Sequence, residues 1–354
     1  MMDDVAAHTT APLVGRDAEL EELVSWLGGD AHARNDPERI GTTVLLSGDA
    51  GVGKTRLLTE VRDRLAGNGW RVVAGHCLDL GDSAVPYLPF SEILGRLSTG
   101  LPEVVASVTG RHPILTRLLP GRRTLAGEDG DGAAIERSAL FDAVRALLDE
   151  AAAEGPLLVV VEDTHWADQS TRDLLTFLFA RDAGPMSLVV SYRADDLHRR
   201  HPLRRHLAEW SRVGGVRRLA LAPLSDASVH RLIAELVPSG LSPDETVGIV
   251  DRAEGNAFFV EELTSAAAGP GRWVPAELAD VLLVRLDRLD DGARQVVRAA
   301  SVAGRKVSHE LLAAASGLTG SALDDGLRHA VEMNVLVPSG DRYAFRHALL
   351  GEAV

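Results

Sequence analysis

The octapeptide GDAGVGKT at residues 48–55 constrains the fold of this chain more than any other feature. It fits the pattern G-x-x-x-x-G-K-[ST] through Gly48, Gly53, Lys54 and Thr55. Glycines at such places let the backbone wrap an anion without Cβ clashes, so that its N–H groups point inward. The preceding TTVLLS (42–47) reads as a buried strand, and KTRLLTEVRDRL (54–65) reads as a helix. A loop in that setting gains the positive N-terminus of the helix. RVVAGHC (71–77) reads as the next strand, and strand–loop–helix–strand is the signature of a parallel sheet.

The loop implies phosphate chemistry. Lys54 is spaced to reach β- and γ-phosphates, and the Thr55 hydroxyl to bind Mg²⁺. Hydrolysis also needs an acidic strand end facing the metal. LLVVVED (157–163) supplies one, because Glu162 and Asp163 close the most apolar strand-like stretch of the chain. Successive strand residues point opposite ways, so one acid can meet Mg²⁺ through water while the other meets the attacking water. SLVVSYR (187–193) ends on Arg193, which either touches the γ-phosphate and reports its presence or pairs with the nearby Asp195 or Asp196. His165 and Trp166 read as packing at a helix start, and Asp168 as the cap of a helix from 169 onward.

Other segments set the organisation. LVGRDAELEELVSWL (13–27) reads as a turn and an amphipathic helix with Leu20, Leu23 and Leu27 on one face. Residues 86–97 begin as a proline-broken loop and end helical; 121–134 read as a mobile, charged, glycine-rich surface loop; 136–153 read as a helix and 216–224 as a fifth strand. The pattern then changes. Helices are expected at 226–237, 243–252, 256–267, 275–287, 290–302, 308–316 and 321–333. Ser242 and Glu245 form a capping-box pattern with Pro243 at the first helical position. VLVPSGDRYAFRH (335–347) reads as a hairpin around Ser339-Gly340, and helices followed by a small hairpin suggest a winged-helix module. The expected fold class is α/β: a P-loop NTPase parallel sheet flanked by helices, then a helical domain and a winged-helix-like domain. The expected boundaries are a flexible tail at 1–12, a nucleotide-binding domain at 13–222, a helical domain at 223–272 and a winged-helix-like domain at 273–354.

Charge limits the partners. The 354 residues carry 51 Asp and Glu against 37 Lys and Arg, a net −14, which argues against gripping a nucleic-acid backbone. The single cysteine, Cys77, cannot form an internal disulfide and reads as a small buried strand residue, which fits a reducing compartment. The acidic opening MMDDVAAHTTAPLVGR lacks the apolar centre of a signal peptide, and no apolar run reaches the ~18 residues of a membrane helix. A cytoplasmic protein with no membrane contact is expected.

Together these segments resemble the ATPase portion of the STAND branch of P-loop NTPases, most of all the large LuxR-type (LAL) bacterial transcription regulators. LVGRDAEL (13–20) is similar to the family's box near adenine, EDTHWAD (162–168) to its acidic signature and SYR (191–193) to its sensor strand. HPLRRHLAEW (201–210) and EGNAFFVEEL (254–263) resemble the following helices, and FRHALLGEAV (345–354) the winged-helix end. The family usually has Pro where this chain has Ala257.

The resemblance implies ATP or ADP with Mg²⁺. It puts Val14, Gly15 and Arg16 at the adenine end, and Gly48, Asp49, Ala50, Gly51, Val52, Gly53, Lys54, Thr55 and Arg56 around the phosphates. Thr55 and, through water, Glu162 take the metal side; Asp163 orients water; Arg193 senses phosphate; His347 touches the β-phosphate in a closed state. Such regulators continue into helical repeats and a DNA-binding helix-turn-helix, so a chain stopping at Val354 is expected to be a fragment whose effector lies beyond it. The implied activity is slow hydrolysis by a regulatory switch, since Asp163 is short for orienting water and no arginine finger is visible in cis. The same module with a cyclase or protein kinase effector is an alternative, and a P-loop kinase of small molecules a third. The expected partners are nucleotide and an effector region or self-association, with no direct nucleic-acid binding by residues 1–354.

Overall fold

The computed structural model describes residues 13–28, 41–79, 85–119, 131–180, 184, 186–268, 286, 289–304, 306–333, 335–340 and 342–354. Five strands form one parallel sheet: β1 (Thr43–Gly48), β2 (Arg71–His76), β3 (Leu157–Glu162), β4 (Met186–Arg193) and β5 (Val216–Leu221), in the order β2-β3-β4-β1-β5. All four pairings are parallel. Every residue of β3 is buried, as a run of Leu and Val between two covered faces requires.

Alternation along the strands builds two cores. Leu45, Val159, Val161, Leu188 and Val190 face one side, packed with α3 (Leu88–Gly100), α5 (Asp131–Ala153) and α6 (Gln169–Ala180). Val44, Leu46, Leu158, Val160 and Val189 face the other, packed with α1 (Asp17–Leu27) and α2 (Lys54–Gly67). Leu20, Leu23 and Leu27 are buried on α1, as their spacing predicts. Asp168 caps α6, its carboxylate accepting from the backbone N–H of Ser170 at 2.8 Å and Thr171 at 3.3 Å.

The middle of the chain is more regular than its sequence suggests. Helix α4 (Pro102–Arg111) and a 3-10 turn (Pro113–Arg117) follow α3, where no element was expected. Helix α5 starts at Asp131, so the last four residues of the expected 121–134 loop are helical; 121–130 lie outside the described residues. Leu115 and Leu118 bury into the same core as α5, and that tertiary contact organises a stretch of weak periodicity.

Helix α7 (Leu203–Trp210) joins β4 to β5, with Trp210 stacked on Phe179 at 4.5 Å. Beyond the sheet, α8 (Asp226–Leu236), α9 (Pro243–Ala253) and α10 (Ala257–Ala268) share a core. The Ser242–Glu245 capping box is present at α9. The expected helix at 275–287 and the 272/273 boundary lie outside the described residues. Next come α11 (Asp291–Ala303), β6 (Lys306–Ser308), α12 (His309–Ser316), α13 (Ser321–Glu332), β7 (Leu336–Ser339), β8 (Arg342–Phe345) and α14 (Ala348–Ala353). The hairpin is β7–β8, and β6 adds a third antiparallel strand beside β8. Leu349 and Leu350 of α14 are buried with α8–α10, so the chain's end returns towards the sheet.

In this order β1 connects through α2 across the sheet to β2, while β4 connects through α7 to β5 on the other side. Their loops diverge at the C-terminal ends of β1 and β4, the crevice where open α/β sheets take ligands.

Candidate active site

The loop 48–55 leaves β1 at that crevice. Gly51 and Gly53 have φ of +75° and +102°, a region L side chains rarely adopt. Lys54 opens α2 and is buried, its ammonium donating to the carbonyls of Gly48 at 2.8 Å and Asp49 at 2.9 Å. Burial, then the neighbouring Arg193 cation, lowers its pKa.

A cleft of about 300 Å³ runs over the loop. One end is lined by Gly51–Arg56, Asp163 and Arg193; the other by Leu13, Val14, Arg16, Leu224 and Leu232; Ala257, Phe258 and Glu261 of α10 close its flank. A polar end with backbone N–H groups and an apolar end suit a phosphate and a planar base respectively.

The two acids that close β3 part company. Asp163 stands in the left-handed region at φ +54° and lines the cleft. Its carboxylate lies 3.8 Å from Arg193 Nε, and burial raises its pKa against the pull of Arg193 and Lys54. Glu162 does not line the cleft. It is buried beside His76 of β2, with Oε1 3.6 Å from Nε2. Bonds to Glu162 and to Glu92 of α3 hold His76 protonated, its pKa pushed up to about 9. Arg193 lines the cleft, and its Nη1 lies 3.8 Å from Asp196 Oδ2. Asp195 instead accepts from the Ala50 N–H at 3.1 Å, tying the β4–α7 turn to the loop.

Arg16 is a tie as much as a wall. Its Nη2 donates to the carbonyls of Val52 at 3.0 Å and Ala222 at 2.6 Å, and Nη1 meets Glu19 at 2.9 Å. Gly15 lies outside the lining; a Cβ there would sit 2.3 Å from Ser228 Oγ, so the N-terminal turn rests on α8.

The C-terminal elements grip the same loop. Asn256 Nδ2 donates to Ala50 O at 2.8 Å, and the Phe258 N–H donates to Gly51 O at 3.0 Å. Ala257 keeps this grip because the bonds come from its neighbours. Arg346, just past β8, reaches Asp49 Oδ2 at 2.7 Å. His347 packs its ring edge-on against Phe259 at 5.4 Å and does not line the cleft. Sequence reasoning missed the contacts of Arg346, Asn256 and Asp195 with the loop; each is a common polar residue whose partner there is more than a hundred positions away.

The model of the AAA ATPase domain matches residues 12–191, half of the chain. The chain belongs to that family. It is an AAA-type ATPase module, and the match takes in the loop, both β3 acids and most of β4. Among solved structures the fold is similar to the Walker-type ATPase of Pyrococcus abyssi, with TM-score 0.62, 15% identity and coverage of 96% of this chain and 95% of that one. It is also similar to the Aeropyrum pernix ORC2 protein, solved as ADPNP–ADP complexes, with TM-score 0.54, 13% identity and coverage of 97% and 94%. For the STAND protein with a tetratricopeptide repeat sensor from Pyrococcus horikoshii the values are TM-score 0.41, 16% identity, 98% and 43%. An uncharacterized protein of Rhizobium meliloti (strain 1021) is 28% identical over 390 residues, 97% of this AAA module, which spans only 35% of that relative. No helix among the described residues is long and apolar enough to cross a membrane.

Proposed function

We propose that this AAA module is the slowly hydrolysing ATP switch of a LuxR-type transcription regulator, acting on an effector region outside residues 1–354. The observation that carries the switch reading is the triple grip on the loop by Asn256, Phe258 and Arg346, all from parts of the chain beyond the sheet. A ligand biases a two-state element only through contacts that differ between the states. Here the phosphate cradle and the C-terminal elements, with the winged-helix-like β6–β8 unit among them, share the same backbone. The LuxR-type assignment rests on the sequence resemblance.

Lys54 reaches the phosphates by exchanging the loop carbonyls for phosphate oxygens. Among the described residues no three His, Cys, Asp or Glu side chains gather to hold a metal. That suits Mg²⁺, which binds through one or two carboxylates plus phosphate oxygens. Thr55 lines the cleft and would hold it, whereas Glu162, paired with His76 outside the cleft, would reach it only through water; the ion would supply positive charge at the phosphates. Asp163 orients the water. The water oxygen bonds to the γ-phosphorus and gives up a proton to a phosphate oxygen, the bond to the bridging oxygen breaks, and ADP leaves with that electron pair. Arg193 faces the charge that develops.

The test is to denature the purified chain, identify the released nucleotide by chromatography, and follow ATP turnover. Bound ADP or turnover well under ~1 s⁻¹, the lower end of ordinary enzyme rates, supports the switch. Faster turnover with no retained nucleotide removes it.

A further inference from the structure

Directly after Asp163, residues Thr164–Trp166 make a single 3-10 turn that drives the His165 ring into the protein. The side chain has no exposed surface, yet neither ring nitrogen has a hydrogen-bond partner. A buried polar ring without partners needs a physical reason. Packing against Trp166, at 4.9 Å between ring centres, explains the burial and not the choice of imidazole.

The surroundings supply the reason. His165 Nδ1 lies 3.8 Å from Asp163 Oδ1, and Nε2 lies 3.3 Å from Asp196 Oδ2 without hydrogen-bond alignment. Arg193 spans the same two oxygens, with Nε 3.8 Å from Asp163 Oδ1 and Nη1 3.8 Å from Asp196 Oδ2. The four side chains close a ring in which two carboxylates alternate with two nitrogen bases. We propose that His165 is a positioning residue for ATP hydrolysis, setting the spacing of Asp163 and Asp196 so that Arg193 and Asp163 face the γ-phosphate together. The inference rests on the hydrolytic reading of Asp163 and Arg193 above.

A neutral imidazole carries one N–H and one lone pair. The nearer nitrogen, Nε2, is assigned the proton and faces Asp196; Nδ1 then turns a lone pair towards Asp163. That lone pair keeps the Asp163 carboxylate from swinging back onto the turn and leaves it to the cleft. A charged ring would clamp Asp163 instead. Burial, then Arg193 and Lys54, prevents that charge, with the His165 pKa lowered to about 2.

Five variants test this in single-turnover and steady-state ATP hydrolysis, with nucleotide affinity measured separately: His165→Leu, His165→Asn, Asp163→Asn, Arg193→Ala and His165→Leu/Arg193→Ala. His165→Leu keeps an apolar filling but no donor. His165→Asn keeps a donor and an acceptor. The expected result is a kcat loss on the order of 10- to 100-fold in His165→Leu, as for a misplaced catalytic group. Affinity and KM stay near the wild type, His165→Asn recovers most of the rate, and the double variant is no worse than its larger single loss. Wild-type kcat in His165→Leu overturns the inference, as do equal losses in Leu and Asn variants alongside a lowered melting temperature. If His165→Leu is unaffected while Asp163→Asn is impaired, the inference fails alone. If Asp163→Asn hydrolyses at the wild-type rate, the hydrolytic reading fails with it. Should His165→Leu not fold, His165→Met, which also fills the space without a donor, takes its place: a kcat loss at unchanged KM that does not add to that of Arg193→Ala supports the inference, and a wild-type kcat overturns it.

Discussion

Arg346 Nη2 lies 2.7 Å from Asp49 Oδ2, joining residues 297 positions apart, and both side chains are somewhat over a quarter exposed. The pair links the last described strand to the second residue of the P-loop. Exposed ion pairs contribute about 0.2–1 kcal/mol. Arg346→Ala is therefore expected to leave the fold intact and speed nucleotide release by no more than about fivefold, the rate equivalent of ~1 kcal/mol. Stopped-flow release of a fluorescent ADP analogue measures it. Asp49→Ala in the Arg346→Ala background should add little, since the partner is already gone.

Lys54→Ala is expected to abolish ATP and ADP binding in calorimetry. Lys54 also donates to two loop carbonyls, so a loss of about 1–2 kcal/mol in urea unfolding should accompany it. Wild-type nucleotide affinity in this variant would remove the assignment of the loop.

Gly51→Ala is a sharper probe. A Cβ on Gly51 would lie 2.5 Å from Asn256 Oδ1 and 2.9 Å from Phe258 Cβ, on a backbone at φ +75°. The added methyl should push α10 off the loop and cost about 1–3 kcal/mol of backbone strain. Limited proteolysis should then cut the 254–268 region faster than in the wild type, and undiminished protection would mean that the grip is loose.

Asp163→Asn and Glu162→Gln should both retain ATP and slow its loss, for different reasons. Asp163→Asn removes the acid facing the cleft. Glu162→Gln removes one of the two carboxylates that hold the His76 cation, Glu92 remaining at 3.0 Å, so its effect should include lowered stability, readable as an earlier thermal midpoint. Unchanged hydrolysis in both variants would move the chemistry elsewhere.

Acid should destabilise the fold through two histidines. Burial lowers the pKa of His165 to about 2, and burial followed by the His198 charge lowers that of His201 to about 4. Both folded values lie below the ordinary value near 6.5, so the unfolded chain binds these protons first. Their contribution is fully present above pH 6.5. It is lost as pH falls, through about 4 for His201 and onward towards 2 for His165. Urea midpoints at pH 7, 5.5 and 4.5 should fall steadily, and His201→Asn should flatten the slope.

Much of the site was legible because it is local. The pattern 48–55 with its flanking strand and helix, the acids after LLVVV and Arg193 after SLVVSY are each read within a dozen residues, and the fold puts all three at one end of the sheet. The capping box at Ser242 and the helix start at Asp168 are local for the same reason. Helix α4 escaped notice because its only buried apolar pair, Val105 and Val108, is too sparse to show a period. His347 matched the relatives' pattern, yet its neighbour Arg346 touches the loop, because the turn out of β8 decides which of two adjacent side chains faces inward.

The sequence by itself determined the cradle, the parallel sheet and the acidic strand end, because glycine freedom, strand alternation and helix periodicity act between neighbours along the chain. Only the tertiary structure decided that Asp163 faces the cleft while Glu162 pairs with His76, that Gly51 must lack a side chain beneath Asn256, and that Arg346 closes onto Asp49. Each of these depends on how separate helices and strands dock. Docking is set by buried surface summed over many residues, which no short stretch of sequence carries.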